Sequence, residues 1–273
     1  MTHSGADIAQ LLSAHGLRPR KALGQNFVAD PNTVRRIARL AGVGGGSRVL
    51  EFGAGLGSLT LALAETGAQV VAVEADHRLV PVLRTVVEPA GVDVVEGDAL
   101  TLDLAALVAE RGGGDWSLVA NLPYNVATPL VLRTLVEAEA VRHLLVMVQR
   151  EVGERMAAGA GDPAYGAVSV RIAYFARAEV VGRVPASVFV PRPRVESVLV
   201  RLERLSAPAV DPAQVTYERL DSVVRAGFAQ RRKMLRRSLA GVVEPVAFEQ
   251  AGVRPDARAE ELGVAEWGRL AAR

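Results

Sequence analysis

Short apolar runs rich in β-branched residues recur along the first half of the chain and alternate with segments of helical periodicity. The strand-like runs are 48–52, 69–74, 92–98, 116–121 and 143–149. The helix-compatible segments between them are 58–66, 76–88, 101–111 and 127–138. Strands that alternate with helices predict βαβ units, and therefore a mostly parallel sheet covered on both faces.

Residues 31–42 precede the first strand and have the signals of a complete helix. Asp30 is a suitable N-cap, Pro31 fits the first turn, and Gly42 is a typical stop. The pattern therefore predicts a capped helix at the start of the sheet domain.

The pattern changes after residue 167. Segments 167–175 and 196–204 are both strand-like, so the sheet is predicted to end in an antiparallel hairpin. Residues 206–214 are rich in Pro, Ala and Ser and are predicted to form a linker, and residues 215–273 show only helical signals. We therefore expect an α/β domain over 1–205 and a small all-helical domain over 206–273.

Composition supports a chain with a substantial core. Hydrophobic residues make up 50% and charged residues 23% of the 273 residues, which excludes a disordered chain. There are no cysteines, so disulfides and thiolate metal sites are excluded. No apolar run reaches membrane-spanning length, and the N-terminus does not resemble a signal peptide. We therefore expect a cytoplasmic protein with no membrane partner.

Charge is distributed unevenly along the chain. The formal net charge is only +2, but residues 217–240 contain seven Arg or Lys and two Asp or Glu. Such a cluster predicts contact with a polyanion, and phosphate contact would add affinity with little sequence information. The predicted contact residues are Arg231, Arg232, Lys233, Arg236 and Arg237, of which the last four would cover one face of a helix. The alternative is a face that is only solvated.

A glycine-rich turn joins the first strand of the predicted sheet to its helix. Gly53, Gly55 and Gly57 would allow a tight bend and a close approach of a ligand to the backbone. A dinucleotide fingerprint requires a different spacing, because Ser58 follows the third glycine directly. This departure disfavours a dehydrogenase, and a plain tight turn remains the alternative to a nucleotide-type site.

Two carboxylates would lie beside this turn. Glu74 ends the second strand and Asp98 ends the third, where carboxyl ends of parallel strands face a ligand crevice. Glu74 is suited to accept hydrogen bonds from a ribose diol and Asp98 from an exocyclic adenine amine, although either could be a helix N-cap. Together with the loop they indicate adenosine bound without a pyrophosphate, which points to S-adenosylmethionine.

Seven blocks of sequence, in one order along residues 20–240, carry a family resemblance. They are LGQNFVAD, LEFGAGLGSLT, VVAVEAD, VVEGDAL, VANLPYNVATPLV, VFVPRPRVESVLVRL and FAQRRKMLRRSL. The chain resembles the ribosomal RNA adenine N6-dimethyltransferases, and within them the branch that dimethylates adjacent adenines near the 3′ end of 16S RNA. The resistance-conferring branch, which modifies 23S RNA, shares most of these blocks.

The resemblance implies a Rossmann-like class I methyltransferase sheet, S-adenosylmethionine as cofactor, S-adenosylhomocysteine as product, and no metal. Gly53 would contact the methionine part, Glu74 the ribose, Asp98 the adenine ring, and Asn121 both cofactor and target. The remaining implied cofactor residues are Gln25, Asn26, Val28, Glu51 and Gly55. The chain departs from the family at Ala54, where proline is frequent, and at Phe52, where isoleucine is frequent, and neither change removes a functional group.

The resemblance also gives a chemical role to the stretch Asn121–Tyr124, which alone would pass for a strand-ending turn. The Asn121 side-chain oxygen and the Pro123 carbonyl would accept from the two N–H bonds of the target amine and steady its developing charge. Tyr124 would stack on the flipped base. Phe189 would supply the second stacking face, with simple core packing as the alternative.

The expected partner is 16S RNA within a partly assembled small ribosomal subunit, modified by a monomeric enzyme. Two alternatives stay open. One is a 23S RNA adenine N6-methyltransferase, and the other is an RNA-binding or transcription factor that kept the fold without methyl transfer. The intact Asn121, Pro123 and Tyr124 speak against the second.

Overall fold

The computed structural model describes residues 2–273, apart from the side chain of Lys21. Its strands are β1 (Phe27–Val28), β2 (Arg48–Phe52), β3 (Gln69–Glu74), β4 (Asp93–Glu96), β5 (Trp116–Asn121), β6 (Val141–Gln149), β7 (Ala176–Val184), β8 (Phe189–Val190) and β9 (Ser197–Arg204). All five strand-like runs of the first half are therefore strands.

The α-helices fill the intervals. In the first part of the chain they are α1 (Gly5–Ala14), α2 (Pro31–Ala41), α3 (Ser58–Ala64), α4 (Val80–Val87), α5 (Leu104–Ala109), α6 (Ala127–Glu137), α7 (Arg150–Ala157) and α8 (Ala167–Phe175). The remaining ones are α9 (Tyr217–Ala229), α10 (Leu235–Ser238), α11 (Pro245–Gln250) and α12 (Val264–Ala271).

The main sheet has seven strands in the order β4-β3-β2-β5-β6-β9-β7. Neighbours from β4 to β6 are parallel, and β9 runs antiparallel to β6 with Val200 opposite Val146. The predicted mostly parallel sheet with an antiparallel end is thus confirmed. One element was wrong: residues 167–175 form α8, and the outer strand is Ala176–Val184.

The chain divides into two compact units. The first contains the residues up to Gly153 together with Val180–Glu203, and the second contains Glu154–Glu179 with Arg204–Arg273. Residues 154–179, placed by the sequence in the first domain, therefore group with the C-terminal helices. The predicted catalytic and RNA-binding roles of the two domains stay predictions.

Helix α2 begins and ends where the sequence predicted. The Asp30 side chain accepts from the backbone N–H groups of Asn32 (3.4 Å) and Thr33 (2.9 Å), which satisfies donors that lack an intrahelical partner. Gly42 ends the helix with a positive φ of 66°. An N-cap of this kind stabilises a helix by about 1 kcal/mol.

Each unit has its own apolar core. In the first unit, buried side chains of the sheet pack against the apolar face of α2, which presents Val34 and Ile37. In the second unit, Trp267 is fully buried among the C-terminal helices, and the rings of Tyr174 and Tyr217 lie 5.3 Å apart. Within residues 2–273, no helix has both the length and the apolar character needed to cross a bilayer.

Candidate active site

A cleft opens at the carboxyl ends of β2, β3 and β5, beside the turn that follows β4. This is where parallel α/β sheets bind ligands. Its volume is about 1140 Å³ including the open mouth. All the predicted cofactor-binding and catalytic residues except Phe189 line it: Gln25, Asn26, Val28, Glu51, Gly53, Gly55, Glu74, Asp98, Asn121, Pro123 and Tyr124. Residues distant in sequence thus form one site.

The glycine turn between β2 and α3 has a conformation that other residues rarely adopt. Gly53, Gly55 and Gly57 have φ values of +70°, +61° and +84°. A Cβ atom at Gly57 would lie 2.6 Å from Cγ1 of Val87, so this position also requires a small residue. The three glycines therefore leave the backbone of the loop open to the cleft.

Glu74, at the end of β3, anchors this loop. Its carboxylate accepts hydrogen bonds from the backbone N–H of Gly55 (Oε2, 2.8 Å) and of Asp76 (Oε1, 2.8 Å). Burial raises the pKa of Glu74, and the same backbone N–H groups lower it. Each oxygen keeps capacity for a further donor, so the ribose role stays a prediction.

Two buried polar atoms of the cleft wall have no hydrogen-bond partner among the described residues. They are Oε2 of Glu51 and Oγ of Ser58, whose residues are 2% and 7% exposed. Burial raises the pKa of Glu51 to about 8. Unsatisfied buried polar atoms are rare in proteins, and at a cleft they indicate a polar ligand.

Asp98 follows β4 and is exposed at the cleft. Its Oδ1 accepts from the backbone N–H of Leu100 at 2.9 Å, so it orders its own turn. The N-cap of α5 is Asp103, which accepts from the N–H of Ala106 at 2.8 Å. Asp98 is therefore not the cap of α5, and its second oxygen faces no described donor.

Asn121 and the residues after it end β5 at the cleft. The Asn121 Nδ2 donates to the backbone oxygen of Asn26 at 3.0 Å, and Oδ1 accepts no hydrogen bond from the described residues. The Pro123 oxygen accepts from the N–H of Val126 at 3.1 Å and keeps one lone pair. The Tyr124 hydroxyl is hydrogen-bonded to Oγ of Ser197 at 2.9 Å, which fixes the direction of the ring.

Residues 20–28 cross the cleft from the N-terminal side. Val28 is 4% exposed and pairs with Phe189 in a two-stranded sheet of β1 and β8. Both ends of the Gln25 amide have protein partners: Nε2 donates to Asp76 and Oε1 accepts from the N–H of Arg20. Gln25 lines the cleft, and its predicted contact with the cofactor stays a prediction.

Phe189 is placed differently from the other predicted catalytic residues. It is 2% exposed, belongs to the core of the first unit and does not line the cleft. The alternative of core packing thus describes the conformation observed, and a stacking role would require the ring to move.

The sequence predicted that the basic cluster would lie on one face of a helix. In the structure of the second unit, the cluster does not form a single helical face. Arg232 and Lys233 lie in a turn, and only Arg236 and Arg237 belong to the four-residue helix α10. Arg231 forms an ion pair with Glu260 at 2.7 Å. The other four cationic residues are exposed and have no described ion pair, so they remain candidates for phosphate contact.

Sequence reasoning missed two residues that support the site. Asp76 is 1% exposed and bonds Gln25, and Ser197 is fully buried and bonds Tyr124. Both lie in quoted motifs, VVAVEAD and VFVPRPRVES, but only the fold brings them to their partners. Among residues 2–273, no group of three His, Cys, Asp or Glu side chains could hold a metal ion.

Comparisons with known proteins agree with this geometry. The chain matches the family model described as ribosomal RNA adenine dimethylase over residues 16–273. It is 48% identical to the ribosomal RNA small subunit methyltransferase A of Leifsonia xyli, over 98% of this chain and 97% of the relative. The protein of the same name from Nocardia farcinica is 47% identical over 98% of this chain and 94% of the relative.

Solved structures share the fold. The 23S rRNA methyltransferase ErmE superposes with a TM-score of 0.68 at 27% identity, covering 90% of this chain and 98% of that one. A dimethyladenosine transferase from Plasmodium falciparum superposes with a TM-score of 0.73 at 23% identity, covering 88% and 94%. Since the family model spans nearly the whole chain, this protein belongs to the ribosomal RNA adenine dimethylases.

Proposed function

We propose that this protein transfers methyl groups from S-adenosylmethionine to N6 of adjacent adenines near the 3′ end of 16S ribosomal RNA, giving N6,N6-dimethyladenosine. The observation that carries the proposal is the single cleft in which the predicted cofactor residues and Asn121–Tyr124 meet. Relatives that are 44–48% identical over nearly their full length are named small subunit methyltransferases, which supports the 16S substrate.

The cleft fits the chemistry of the proposed cofactor. The unpartnered carboxyl oxygen of Glu51 suits the ammonium group of an amino acid, because a buried carboxylate needs a cationic partner. The positive φ values at Gly53 and Gly55 leave backbone open for its approach. Glu74 would hold the ribose, and Asp98 would hold the adenine amine. When bound, the cofactor supplies an electrophilic methyl group on a sulfonium.

The chain itself supplies alignment of the target amine. The N6 lone pair of adenine is delocalised into the ring, so its nitrogen is a poor nucleophile. The Asn121 Oδ1 and the remaining lone pair of the Pro123 oxygen would accept from the two N–H bonds. These contacts favour a pyramidal amine and stabilise the positive charge that develops on it.

The flipped base would stack on Tyr124, whose ring is fixed by the hydrogen bond to Ser197. Extraction of the base from its stack costs a few kcal/mol, and stacking on an aromatic ring returns about 1–3 kcal/mol. The fixed ring also limits motion of the target nitrogen. Tyr124 would therefore act as a stacking platform for the base.

The physiological substrate would be a partly assembled small subunit, bound by a monomeric enzyme in the cytoplasm. RNA of this kind is recognised through shape and unpaired bases. Phosphate contacts from Arg232, Lys233, Arg236 and Arg237 would add affinity without sequence information.

Methylation of unmethylated small subunits with labelled S-adenosylmethionine, followed by mapping of the modified positions, tests the proposal. We expect label on two adjacent adenines near the 3′ end of 16S RNA. Large subunits treated in parallel should stay unlabelled.

A second candidate is methylation of 23S RNA, since ErmE shares the fold over 90% of this chain. Label confined to 23S RNA would establish that alternative. Absence of label from both RNAs, with S-adenosylhomocysteine still bound in calorimetry, would instead indicate a non-catalytic RNA-binding protein.

A further inference from the structure

Residues 20–28, here named the strap, contact three separate parts of the proposed site. The backbone oxygen of Asn26 accepts a hydrogen bond of 3.0 Å from Nδ2 of Asn121. The ring of Phe27 packs against the glycine turn, so that a Cβ at Gly55 would lie 3.0 Å from it. The third contact is a hydrogen bond of 2.9 Å from Nε2 of Gln25 to Oδ2 of Asp76.

Asp76 is the fixed end of this third contact. Although it is 1% exposed, its carboxylate accepts from Nε (3.0 Å), Nη2 (2.8 Å) and the backbone N–H (3.2 Å) of Arg78, in addition to Gln25. The Arg78 guanidinium and the Gln25 amide hold the pKa of Asp76 well below its usual range. A charged acceptor of this kind makes stronger hydrogen bonds than a neutral one.

The turn that contains Asp76 also holds Glu74, the carboxylate proposed to bind the ribose of the cofactor. The backbone N–H of Asp76 donates to Oε1 of Glu74 at 2.8 Å, while Oε2 of Glu74 accepts from Gly55. The Gln25 amide thus joins the strap to the turn that orients Glu74. Its other end, Oε1, accepts from the N–H of Arg20 at 2.8 Å and closes the strap on itself.

We propose that Asp76 is a positioning residue that latches the strap through Gln25, and that this latch couples the order of the Glu74 turn to the orientation of the Asn121 amide. The inference rests on the proposed function for its catalytic consequence, but not for the latch itself. Release of the strap would free the Asn121 amide and uncover the glycine turn together.

A swap of the two side chains tests the latch. Gln25→Glu places a carboxylate against Asp76, and Asp76→Asn removes the charge that Gln25 binds. In the double variant, one oxygen of the carboxylate now at position 25 can still accept from Arg20, and the other can accept from the amide now at position 76. The same carboxylate supplies a negative charge to the Arg78 guanidinium, which loses one acceptor oxygen in Asp76→Asn. Glu88→Gln, which removes the acid of an exposed ion pair of 2.7 Å at the end of α4, is the matched control.

Trypsin provides the readout, because Arg20 and Lys21 are cleavage sites in the strap. Cleavage follows the population of the opened segment when opening and closing are fast. We expect cleavage in the strap to become about tenfold faster in each single variant, and to return to within about threefold of the parent in the double variant. The control should match the parent.

Binding of S-adenosylhomocysteine and steady-state kinetics extend the test to coupling. Each single variant should bind S-adenosylhomocysteine more weakly and show a lower kcat, with recovery in the double variant. Unchanged strap cleavage in both single variants overturns the latch. Loss of cleavage protection without recovery in the double variant also overturns it, because simple local damage would give that result.

The two proposals fail separately. If S-adenosylhomocysteine binds neither the parent nor any variant, the proposed cofactor is wrong, but the cleavage rates still decide the latch. If the parent methylates RNA and both single variants keep parental kcat and cleavage, the proposed function stands and the latch is rejected.

Discussion

At the scale of single residues, the Glu51 carboxyl is an acid removed from water at the wall of the cleft. Its Oε2 has no hydrogen-bond partner among the described residues, and burial raises its pKa from 4.5 to about 8. The folded protein therefore holds Glu51 neutral at a pH where the unfolded chain ionises it. The stability contributed by this difference is present below pH 4.5 and is lost as the pH rises through about 8.

We predict that Glu51→Gln stabilises the ligand-free protein relative to the parent, increasingly from pH 5 to pH 8 and not further above. The gain should reach a few kcal/mol, at roughly 1.4 kcal/mol for each pH unit in this range. Urea unfolding at pH 5, 6.5 and 8 measures it. A pH-independent difference would contradict the shift, and Glu96→Gln, at an exposed carboxylate on β4, is the control.

Asn121 carries the second prediction at this scale. Asn121→Ala removes the Oδ1 acceptor and also the donor to Asn26. We expect kcat to fall at least 100-fold, since one preorganised polar contact in a transition state contributes that much. The affinity for S-adenosylhomocysteine should change by less than about tenfold, because the other cofactor contacts remain.

Single-turnover methylation and calorimetry measure these two quantities for Asn121→Ala. Asn32→Ala, at an exposed position in the first turn of α2, is the matched control and should equal the parent. Turnover at the parental rate in Asn121→Ala would remove Asn121 from the reaction.

At the scale of elements, the glycine turn between β2 and α3 decides whether the cleft forms. A side chain at Gly57 meets two obstacles, a φ of +84° and a Val87 methyl at 2.6 Å. Gly46 has nearly the same φ, +87°, but a Cβ added there would meet no atom of the described residues within 4 Å. A comparison of alanine substitutions at Gly46 and Gly57 therefore separates the cost of backbone strain from the cost of steric overlap.

We predict that Gly46→Ala costs about 1 kcal/mol, from the left-handed backbone alone. Gly57→Ala should lower the free energy of unfolding by a further ~1–3 kcal/mol, the usual penalty of overpacking, because its methyl group would press against α4. Urea unfolding of both variants measures the difference. Equal costs would mean that α4 moves away without penalty, and that Val87 does not constrain the turn.

The antiparallel end of the sheet shows how an element depends on its partners. The pattern of residues 167–175 is apolar at alternate positions, which favours a strand, yet the segment is α8. In the helix Tyr174 is 2% exposed and its ring contacts Phe175 and Tyr217. Tertiary packing against a segment more than forty residues away overrides the local pattern.

At the scale of the whole molecule, the arginines of the basic cluster differ in whether they already form an ion pair within the protein. Arg231 bonds Glu260 and the backbone oxygen of Pro163, so its charge is used within the second unit. Arg232 and Arg236 are exposed without a described ion pair. Only charges of the second kind can release counterions from RNA at full effect.

We predict that the double change Arg232→Glu and Arg236→Glu weakens small-subunit binding and lowers the slope of log affinity against log salt by about 1.5. Arg84→Glu combined with Arg39→Glu reverses two surface arginines on α4 and α2 and serves as the control. Binding measured from low to moderate salt tests this. An unchanged slope in the first double variant would make the cluster a solvated surface.

The sequence by itself determined the local features. The apolar period predicted the order of strands and helices from residue 48 to residue 149, Asp30 and Gly42 marked the ends of α2, and the glycine turn and the acids at strand ends predicted a cleft. These features depend on near neighbours in the chain, and the rule that parallel strands end on one side converts them into a site.

Only the tertiary structure decided the features that depend on distant partners. Leu235 and Arg236 give their backbone N–H groups to the carbonyls of Ala257 and Pro255, so the helix expected through the basic cluster begins only at Leu235. Burial placed Phe189 in the core, and the Gln25 amide is bonded at both ends. Such pairings follow from which groups the fold brings within hydrogen-bonding distance, and no sequence period encodes that distance.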